Sequence, residues 1–230
     1  NKGLIGAKSS LKMIPSYVEP PTGYKNGNYL VIDFGGTNLR LMQINLGEKA
    51  TVLKKEEVII EEKIKTATKD EFFDYISNAL SNFIRNNHLD DPIQQQNLGF
   101  TFSFPVNKES INSGKLLEWT KGYDIKGVKG KDVVKLLNIS MEKIGIKNIK
   151  IVSLLNDAVG TLVYRKYINT DCDVSVILGT GTNAAYIENI SKIKKLKAFS
   201  IQSRKSMIIN TEWGNFNKLR RNDYDRKLDE

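Results

Sequence analysis

The sequence is poor in cysteine and histidine and contains no long apolar run. Its one cysteine, Cys172, excludes an intramolecular disulfide and fits a reducing compartment. Its one histidine, His88, follows a predicted helix among polar residues, where a surface loop is the better interpretation. No apolar stretch approaches the ~20 residues that a helix needs to span a bilayer. We therefore expect a cytoplasmic protein, with no membrane segment evident in this chain and no histidine-dependent catalysis.

A formal net charge of +9 favours anionic partners such as nucleotides, sugar phosphates, nucleic acid or acidic lipid. The lysines are spread along the chain, however, and no arginine-rich arm with interleaved aromatic residues is present. This pattern argues against a nucleic-acid partner. A content of 40% hydrophobic and 27% charged residues is typical of a folded globular protein, large enough at 230 residues for one large domain or two lobes.

Periodic patterns predict three consecutive strands followed by alternating helices and strands. Residues 1–28 contain the early prolines and read as an irregular leader. Apolar runs predict strands at 29–33, 39–46, 51–60, 97–104, 149–155 and 174–178. Apolar residues at helical spacing predict helices at 69–85, 131–144 and 157–167, the first with a capping box at Thr68 and Glu71. This order indicates an α/β lobe with a mixed sheet.

Two glycine-bearing turns of similar composition recur early and late in the chain. Asp33-Phe34-Gly35-Gly36-Thr37-Asn38 and Gly179-Thr180-Gly181-Thr182-Asn183 each lie between two apolar strands. Such a repeat predicts two related lobes that face a shared cleft. Few residues follow the second turn, and Arg220–Glu230 reads as a charged loop. We therefore expect an incomplete second lobe and a chain truncated at its C-terminus.

The two turns are candidates for phosphate binding, because glycine lets backbone amides approach phosphate oxygens closely. The first turn is not a Walker loop, since a strand follows it and the Gly-Lys-Ser/Thr ending is missing. Asp33 at the strand end can hold Mg²⁺ through water, and Arg40 can offset phosphate charge. Ordinary tight hairpins remain the alternative for both turns. The candidate residues for Mg-ATP are Asp33, Gly35, Gly36, Thr37, Asn38, Arg40, Gly179, Thr180 and Thr182.

Polar side chains at several points along the chain, two of them where apolar strands end, are candidates for a sugar site, since a hexose presents many hydroxyl groups. They are Ser103, Thr120, Lys121, Asn156, Asp157 and Glu212. Asp157 is the candidate general base for a sugar hydroxyl, because the helix dipole favours an anion at a helix N-terminus. Structural alternatives stay open: Ser103 as a strand cap, Asn156 or Asp157 as a helix N-cap, and Lys121 as a solvated lysine.

A series of motifs in this order resembles the eukaryotic-type hexokinase family (hexokinase/glucokinase), within the actin-like ATPase superfamily. The motifs are Ile32–Arg40, Leu98–Pro105, Glu118–Gly122, Leu155–Thr161, Leu178–Ala184 and Asn210–Gly214. Tyr224–Glu230 is similar to a later loop of the family. The order and approximate spacing fit from about residue 29 to the end of the chain.

The resemblance implies an α/β fold of the actin-like ATPase (ribonuclease H-like) type, with two lobes of mixed sheets around a cleft and the second lobe incomplete. It assigns residues 27–155 to the small lobe, 156–230 to part of the large lobe, and 1–26 to a leader and part of the large lobe. It implies an ATP:D-hexose 6-phosphotransferase with Mg-ATP as co-substrate and no tightly bound prosthetic group. Closure of the cleft on sugar binding is implied as well.

The same resemblance implies roles for single residues. Asp157 would be the base, and Lys121 would help to stabilise the transferred phosphoryl group. The hexose would contact Ser103, Thr120, Lys121, Asn156, Asp157, Asn183 and Glu212. The glycine-turn residues would surround Mg-ATP, with Asp33 holding the metal through water. Because the family has another sugar-contacting glutamate and an adenosine-binding segment beyond Glu230, we expect this 230-residue chain itself to be weakly active or inactive.

Three other functions are less well supported. A non-catalytic hexose sensor would bind sugar without turnover, but the retention of Asp157 and Lys121 argues against it. Another actin-like ATPase would keep the glycine turns but has no need of Phe102–Pro105 or Trp119–Gly122. A basic nucleic-acid-binding module would bind with a steep dependence on salt. The preferred hexose, product inhibition and the oligomeric state stay open.

Overall fold

The structure is a computed structural model and describes residues 2–23, 25–91, 94–179, 181–196, 205–218 and 220–228. Its strands are β1 (Ile14–Pro15), β2 (Gly27–Phe34), β3 (Asn38–Leu46), β4 (Thr51–Ile59), β5 (Gln96–Phe102), β6 (Val106–Ser110), β7 (Ser113–Leu116), β8 (Ile149–Leu155), β9 (Val174–Leu178), β10 (Thr182–Asn189) and β11 (Ser206–Asn210). Its α-helices are α1 (Lys69–Asn86), α2 (Val133–Lys143), α3 (Asp157–Ile168) and α4 (Asp223–Leu228). Over the described ranges, no helix combines the length and the apolar character that a membrane span requires.

The first sheet is mixed and has the strand order β4-β3-β2-β5-β8. Strands β2, β3 and β4 pair antiparallel, whereas β5 runs parallel to β2 and β8 parallel to β5. Leu30, Ile32 and Phe34 alternate as buried residues along β2, and Leu98 and Phe100 do so along β5. Since successive side chains of a strand point to opposite faces, this alternation buries one face of the sheet in the core.

Helices α1 and α2 join this core. The hydroxyl of Thr68 accepts from the Glu71 amide at 3.3 Å, and the Glu71 carboxylate accepts from the Thr68 amide at 2.8 Å, which is the capping box that the sequence predicts. Phe72 and Ile76, on the inner face of α1, are fully buried. The ring of Phe72 meets that of Phe34 edge to face, with 5.1 Å between centroids. The end of β2 in the first sheet therefore packs against a core rich in aromatic residues.

The second sheet joins the beginning of the described chain to its later part, with the order β1-β11-β10-β9 and antiparallel pairs throughout. Helix α3 packs on it, and Val159 and Leu162 of the helix form a buried cluster with Ala185 and Ile208 of the sheet. The β2–β3 turn of the first sheet and the β9–β10 turn of the second are the two glycine-bearing turns of the sequence. Each sheet thus contributes one such turn, as the repeat predicts.

The leader and the stretch after Pro105 are more ordered than the sequence patterns indicate. Within the leader, Lys2–Ile5 forms a 3₁₀ turn, and Ile14 of β1 pairs with Asn210 of β11. The β6–β7 hairpin was not predicted, nor was β11. Strands this short have too few residues to show a period, and β1 depends on a partner far along the chain.

The predicted charged loop at Arg220–Glu230 is wrong over Asp223–Leu228, which is helix α4. The side chain of Asn222 accepts from the backbone amides of Tyr224 and Asp225, at 2.8 and 3.0 Å, and so satisfies the first donors of the helix. Helix α2 begins at Val133 rather than Lys131, because Asp132 is its N-cap. The lobe boundaries at 26/27 and 155/156 stay predictions.

Candidate active site

A cavity of about 230 Å³ lies between segments that follow β5, β8 and β11 and the start of β10. Its lining comprises Ser103, Pro105, Thr120, Lys121, Asn156, Asp157, Ile177, Gly181, Thr182, Asn183, Glu212 and Gly214. Every residue predicted to contact a hexose is in this set. A larger cavity of about 660 Å³, between the leader and residues 215–218, contains none of them. The smaller cavity is therefore where the predicted chemistry converges.

One wall of the cavity is a network of amides and a carboxylate. Asn183 donates from Nδ2 to Oδ1 of Asn156 at 3.1 Å and to Oδ1 of Asn210 at 2.8 Å. Asn210 donates in turn to Oε1 of Glu212 at 2.7 Å. The backbone amide of Glu212 donates back to Oδ1 of Asn183 at 3.1 Å. A connected network of this kind holds each polar group in one orientation.

Glu212 enters the wall through an unusual backbone conformation. Its φ of 46° lies in the left-handed region, which a non-glycine residue adopts only where the surroundings hold it. Burial raises the pKa of Glu212, while the hydrogen bond from Asn210 and the charge of Lys12 act in the opposite direction. The carboxylate is thus an acceptor whose charge depends on these neighbours.

Asn156 and Asp157 begin helix α3. The Oδ1 of Asn156 accepts from the Ala158 amide at 3.0 Å, so Asn156 is the N-cap, and the Oδ1 of Asp157 accepts from the same amide at 2.8 Å. Asn156 is buried, while Asp157 stays partly exposed. The N-cap interpretation is therefore correct for Asn156, and it coexists with a place in the cavity wall.

Lys121 is not the solvated lysine of the structural alternative. Its ammonium donates to the carbonyl oxygen of Ser103 at 2.7 Å and lies 5.4 Å from the centre of the Phe104 ring. Its φ of 58° is again left-handed. These contacts hold the ammonium at the cavity, beside the strand end that carries Ser103.

The two glycine turns lie on either side of the Lys121 side chain. A Cβ at Gly36 would lie 2.9 Å from Cδ of Lys121, and a Cβ at Gly181 would lie 4.0 Å from its Cε. Both turns are hairpins: the Gly35 amide donates to the Asn38 carbonyl, and the Gly179 amide to the Gly181 carbonyl, each at 2.9 Å. Thr180 lies outside the described residues. Because a hairpin can also bind phosphate, phosphate binding stays a prediction for both turns.

Asp33, Arg40 and Glu57 form a ladder across β2, β3 and β4. They are cross-strand partners in the sheet register. Arg40 donates to Asp33 and to Glu57, each at 3.0 Å, and Asn38 donates to Glu57 at 2.8 Å. Burial raises the pKa of Asp33, and Arg40 counteracts this. The ladder fixes three of the residues predicted for Mg-ATP, while Arg40 shares its charge between two carboxylates.

The donor set at the first turn is compatible with Mg²⁺ bound together with phosphate. Mg²⁺ in nucleotide sites takes one or two carboxylates and completes its shell with phosphate oxygens and water. Asp33 supplies one carboxylate beside the turn, and its Oδ2 is bonded to Arg40. No group of three or more histidine, cysteine or acidic residues suited to a metal occurs in the described ranges. A single carboxylate beside a turn suited to phosphate fits a metal that arrives with a nucleotide.

Two functional candidates were missed in the sequence. Asn210 begins the motif Asn210–Gly214, but no function was predicted for it. In the structure it bridges Asn183 and Glu212 in the cavity wall. Glu57 had no motif to mark it, although it orients Asn38 and Arg40. The register of the β3–β4 hairpin places Glu57 opposite Arg40, and that charge pairing was the available signal.

Comparisons with known proteins agree with this geometry. Two family models described as hexokinase match residues 1–167 and 173–230. The chain is 43% identical to Hexokinase-1 of Arabidopsis thaliana over 231 residues, covering 96% of this chain and 46% of the relative. It is 37% identical to Hexokinase-1 of Schizosaccharomyces pombe over 237 residues, covering 100% of this chain and 48% of the relative. The chain thus spans about half the length of the curated relatives it matches.

A solved structure gives the same result. The hexokinase of Schistosoma mansoni complexed with glucose superposes with a TM-score of 0.85 at 38% identity. The match covers 93% of this chain and 48% of that chain. The likeness therefore extends over nearly all of this chain and about half of the Schistosoma mansoni chain.

Proposed function

This chain belongs to the hexokinase family, and we propose from that premise that the full-length protein transfers the γ-phosphoryl group of Mg-ATP to the 6-hydroxyl of glucose and related hexoses. This would make it an ATP:D-hexose 6-phosphotransferase at the first step of glycolysis. The observation that carries the proposal is the convergence of all seven predicted hexose residues on one cavity. The reducing compartment indicated by one cysteine supports the cytoplasm as its location.

The cavity wall supports sugar recognition. A hexose hydroxyl both donates and accepts hydrogen bonds, and so do the amides of Asn156 and Asn183. Glu212 adds a carboxylate acceptor, and its charge is supported by Asn210. Ser103 and Thr120 add hydroxyl groups to the lining. A sugar analogue that lacks one hexose hydroxyl would leave a polar group of the protein unpaired, and such sites discriminate between sugars in this way.

Asp157 is the proposed general base. Its carboxylate lines the cavity from the first turn of α3, where the helix dipole favours negative charge. The neighbouring Asn156 cap fixes the start of the helix and hence the direction of the carboxylate. Asp157 would accept the proton of the sugar hydroxyl as the oxygen attacks phosphorus.

Lys121 and the two glycine turns supply the phosphoryl side. Phosphoryl transfer needs positioning and neutralisation of charge more than covalent help. Lys121 lies between both turns, which supports a role for its ammonium in stabilising charge on the transferred group. Mg²⁺, when bound with ATP, would neutralise phosphate oxygens near Asp33. The amides at Gly36 and Gly181 are the proposed phosphate donors, since those of Gly35 and Gly179 close their own turns.

The test is product formation by the full-length protein and by its Asp157→Asn variant. With glucose and Mg-ATP, we expect glucose 6-phosphate, identified by NMR and by a coupled dehydrogenase assay. The variant should lose a factor of about a hundred or more in kcat while glucose still binds, because only the proton acceptor is removed. Glucose binding without turnover by the unmodified protein would indicate a hexose sensor. Unchanged turnover in the variant would remove Asp157 from its role.

A further inference from the structure

Lys12, in the leader, is anchored beside the cavity wall. Its carbonyl oxygen accepts from Nζ of Lys195 at 2.8 Å. The next residue, Met13, donates its amide to the carbonyl oxygen of Thr211 at 3.0 Å, and Ile14 then pairs with Asn210. The backbone of Lys12 is therefore fixed to the strand end that carries Asn210 and Glu212.

The side chain of Lys12 reaches across to Glu118. Its ammonium forms an ion pair with Oε1 of Glu118, and the side chains are 25% and 42% exposed. Glu118 follows β7 in the first-sheet half of the molecule, whereas Lys12 precedes β1 of the second sheet. The pair thus connects the two halves beside the cavity rather than within either core.

Glu118 is linked to Thr120 and Lys121 through a compact turn. Trp119, next to Glu118, packs on Phe104 at 4.9 Å between ring centroids and donates from its indole to the Ile125 carbonyl at 2.9 Å. The Tyr123 amide closes the turn on the Thr120 carbonyl at 3.1 Å. Glu118 thus belongs to a compact turn that carries two cavity residues, and a contact that restrains Glu118 also restrains this turn.

Lys12 also acts on the other side of the cavity by its charge. Glu212 is partly buried, and Lys12 is one of the cations that favour its ionised form. Glu118, the ion-pair partner of Lys12, is itself an acid and supplies no positive charge to Glu212. Substitution of Lys12 should therefore raise the KM for glucose more than substitution of Glu118 does.

We propose that Lys12 is a positioning residue of the hexose cavity: it holds the Thr120–Lys121 turn against the strand end that carries Asn210 and Glu212. The inference rests on the proposed hexokinase activity. Lys12 itself does not line the cavity, so it acts through Glu118 and Glu212 rather than on the substrate.

The experiment is steady-state kinetics of the full-length protein with glucose and Mg-ATP for Lys12→Met, Glu118→Gln, the double variant and Lys12→Arg. We expect the KM for glucose to rise roughly tenfold in Lys12→Met, because both the tether and the charge near Glu212 are lost. It should rise about threefold in Glu118→Gln, as for a partly exposed ion pair. The double variant should equal Lys12→Met, since Glu118 acts only through its contact with Lys12. Lys12→Arg should restore the KM, and the KM for ATP should stay within about twofold throughout.

Lys8→Met is the matched control, because Lys8 is an exposed leader lysine with no ion pair to any described residue. Its glucose KM and melting temperature should match those of the unmodified protein. If Lys12→Met had the same glucose KM and the same turnover as the unmodified protein, this inference would be overturned and the proposed function would stand. No turnover and no hexose binding by the unmodified protein would overturn both.

Discussion

At the scale of single residues, the path of Lys121 is the most demanding feature of the site. Its alkyl chain passes so close to Gly36 that a Cβ there would lie 2.9 Å from Cδ, nearer than side chains approach each other. The hydrogen bond from Lys121 to Ser103 fixes the far end of the same side chain. The turn therefore needs glycine at position 36 because the lysine occupies that space.

We predict that Gly36→Ala lowers kcat/KM of the full-length protein about tenfold or more, because the added methyl group displaces Lys121. The melting temperature should change little, since the turn is at the surface of the cavity. Steady-state kinetics and thermal unfolding measure the two effects. Gly160→Ala in α3 is the matched control, because its Cβ would meet nothing within 4 Å. Equal kcat/KM in Gly36→Ala and the unmodified protein would show that Lys121 can be displaced without loss.

Single residues were predictable where they end an apolar strand or begin a helix. Ser103 and Asp157 stand at such points, and a chemical reason for a polar side chain there can be read from the sequence. Asn210 and Glu57 could not be found in this way, since their importance comes from partners on other strands. The role of a residue that orients another side chain appears only once register and packing are known.

At the scale of elements, the capping box of Thr68 and Glu71 determines where α1 begins. Thr68→Ala should lower the free energy of unfolding by about 1 kcal/mol, because the Glu71 amide loses the hydroxyl that accepts its hydrogen bond, while the backbone amide of residue 68 can still donate to the Glu71 carboxylate. Equilibrium urea unfolding of the protein measures this. Thr66→Ala, two residues earlier at an exposed position, should stay within about 0.5 kcal/mol of the unmodified protein. Equal losses in both variants would contradict a specific capping role.

The β6–β7 hairpin is tied to β8 by a buried lysine. Nζ of Lys108 donates to the carbonyl oxygen of Ile111 at 3.1 Å and to that of Leu154. The Leu154 amide donates to Ile111 at 2.8 Å, so the hairpin and the end of β8 share a small network just before Asn156. Burial lowers the pKa of Lys108 to about 7.

This burial makes stability depend on pH with a definite sign. Between about pH 7 and pH 10.5 the unfolded lysine binds a proton that the folded one has released, so stability rises with pH in that window. The difference in unfolding free energy between the unmodified protein and Lys108→Met should therefore rise by about 1 kcal/mol per pH unit from pH 7.5 to 9.5. Urea unfolding at several pH values measures it, with the exposed Lys150→Met on β8 as control. A pH-independent difference would mean that Lys108 is not destabilised as a cation.

Elements with a strong period were predictable, and elements that depend on distant pairing were not. The apolar spacing of α1 is contained in the helix itself, and the observed helix ends within a residue of its predicted end. Strand β1 exists because β11 pairs with it almost two hundred positions away, which no local pattern records. Helix α4 depends on the Asn222 cap within a charged stretch that otherwise resembles a loop.

At the scale of the whole molecule, the predicted α/β fold with two sheets about a cleft is confirmed, and the chain shares it with the hexokinase of Schistosoma mansoni at a TM-score of 0.85. The fold places the ends of β5, β8 and β11 around one cavity. This arrangement explains why polar residues far apart in the sequence form a single site. The repeated glycine turn predicted the two halves of the molecule. The hydrogen bonds between the halves could be identified only from the structure.

The central claim is that this cavity binds a hexose, and calorimetric titration of glucose into the full-length protein tests it most directly. We predict saturable binding at one site per chain, weakened at least tenfold in Asn183→Ala, because that amide joins Asn156, Asn210 and Glu212. The Lys8→Met variant, outside the cavity, should bind as the unmodified protein does. Absence of binding by glucose and by other hexoses, or equal affinity in Asn183→Ala, would contradict the account.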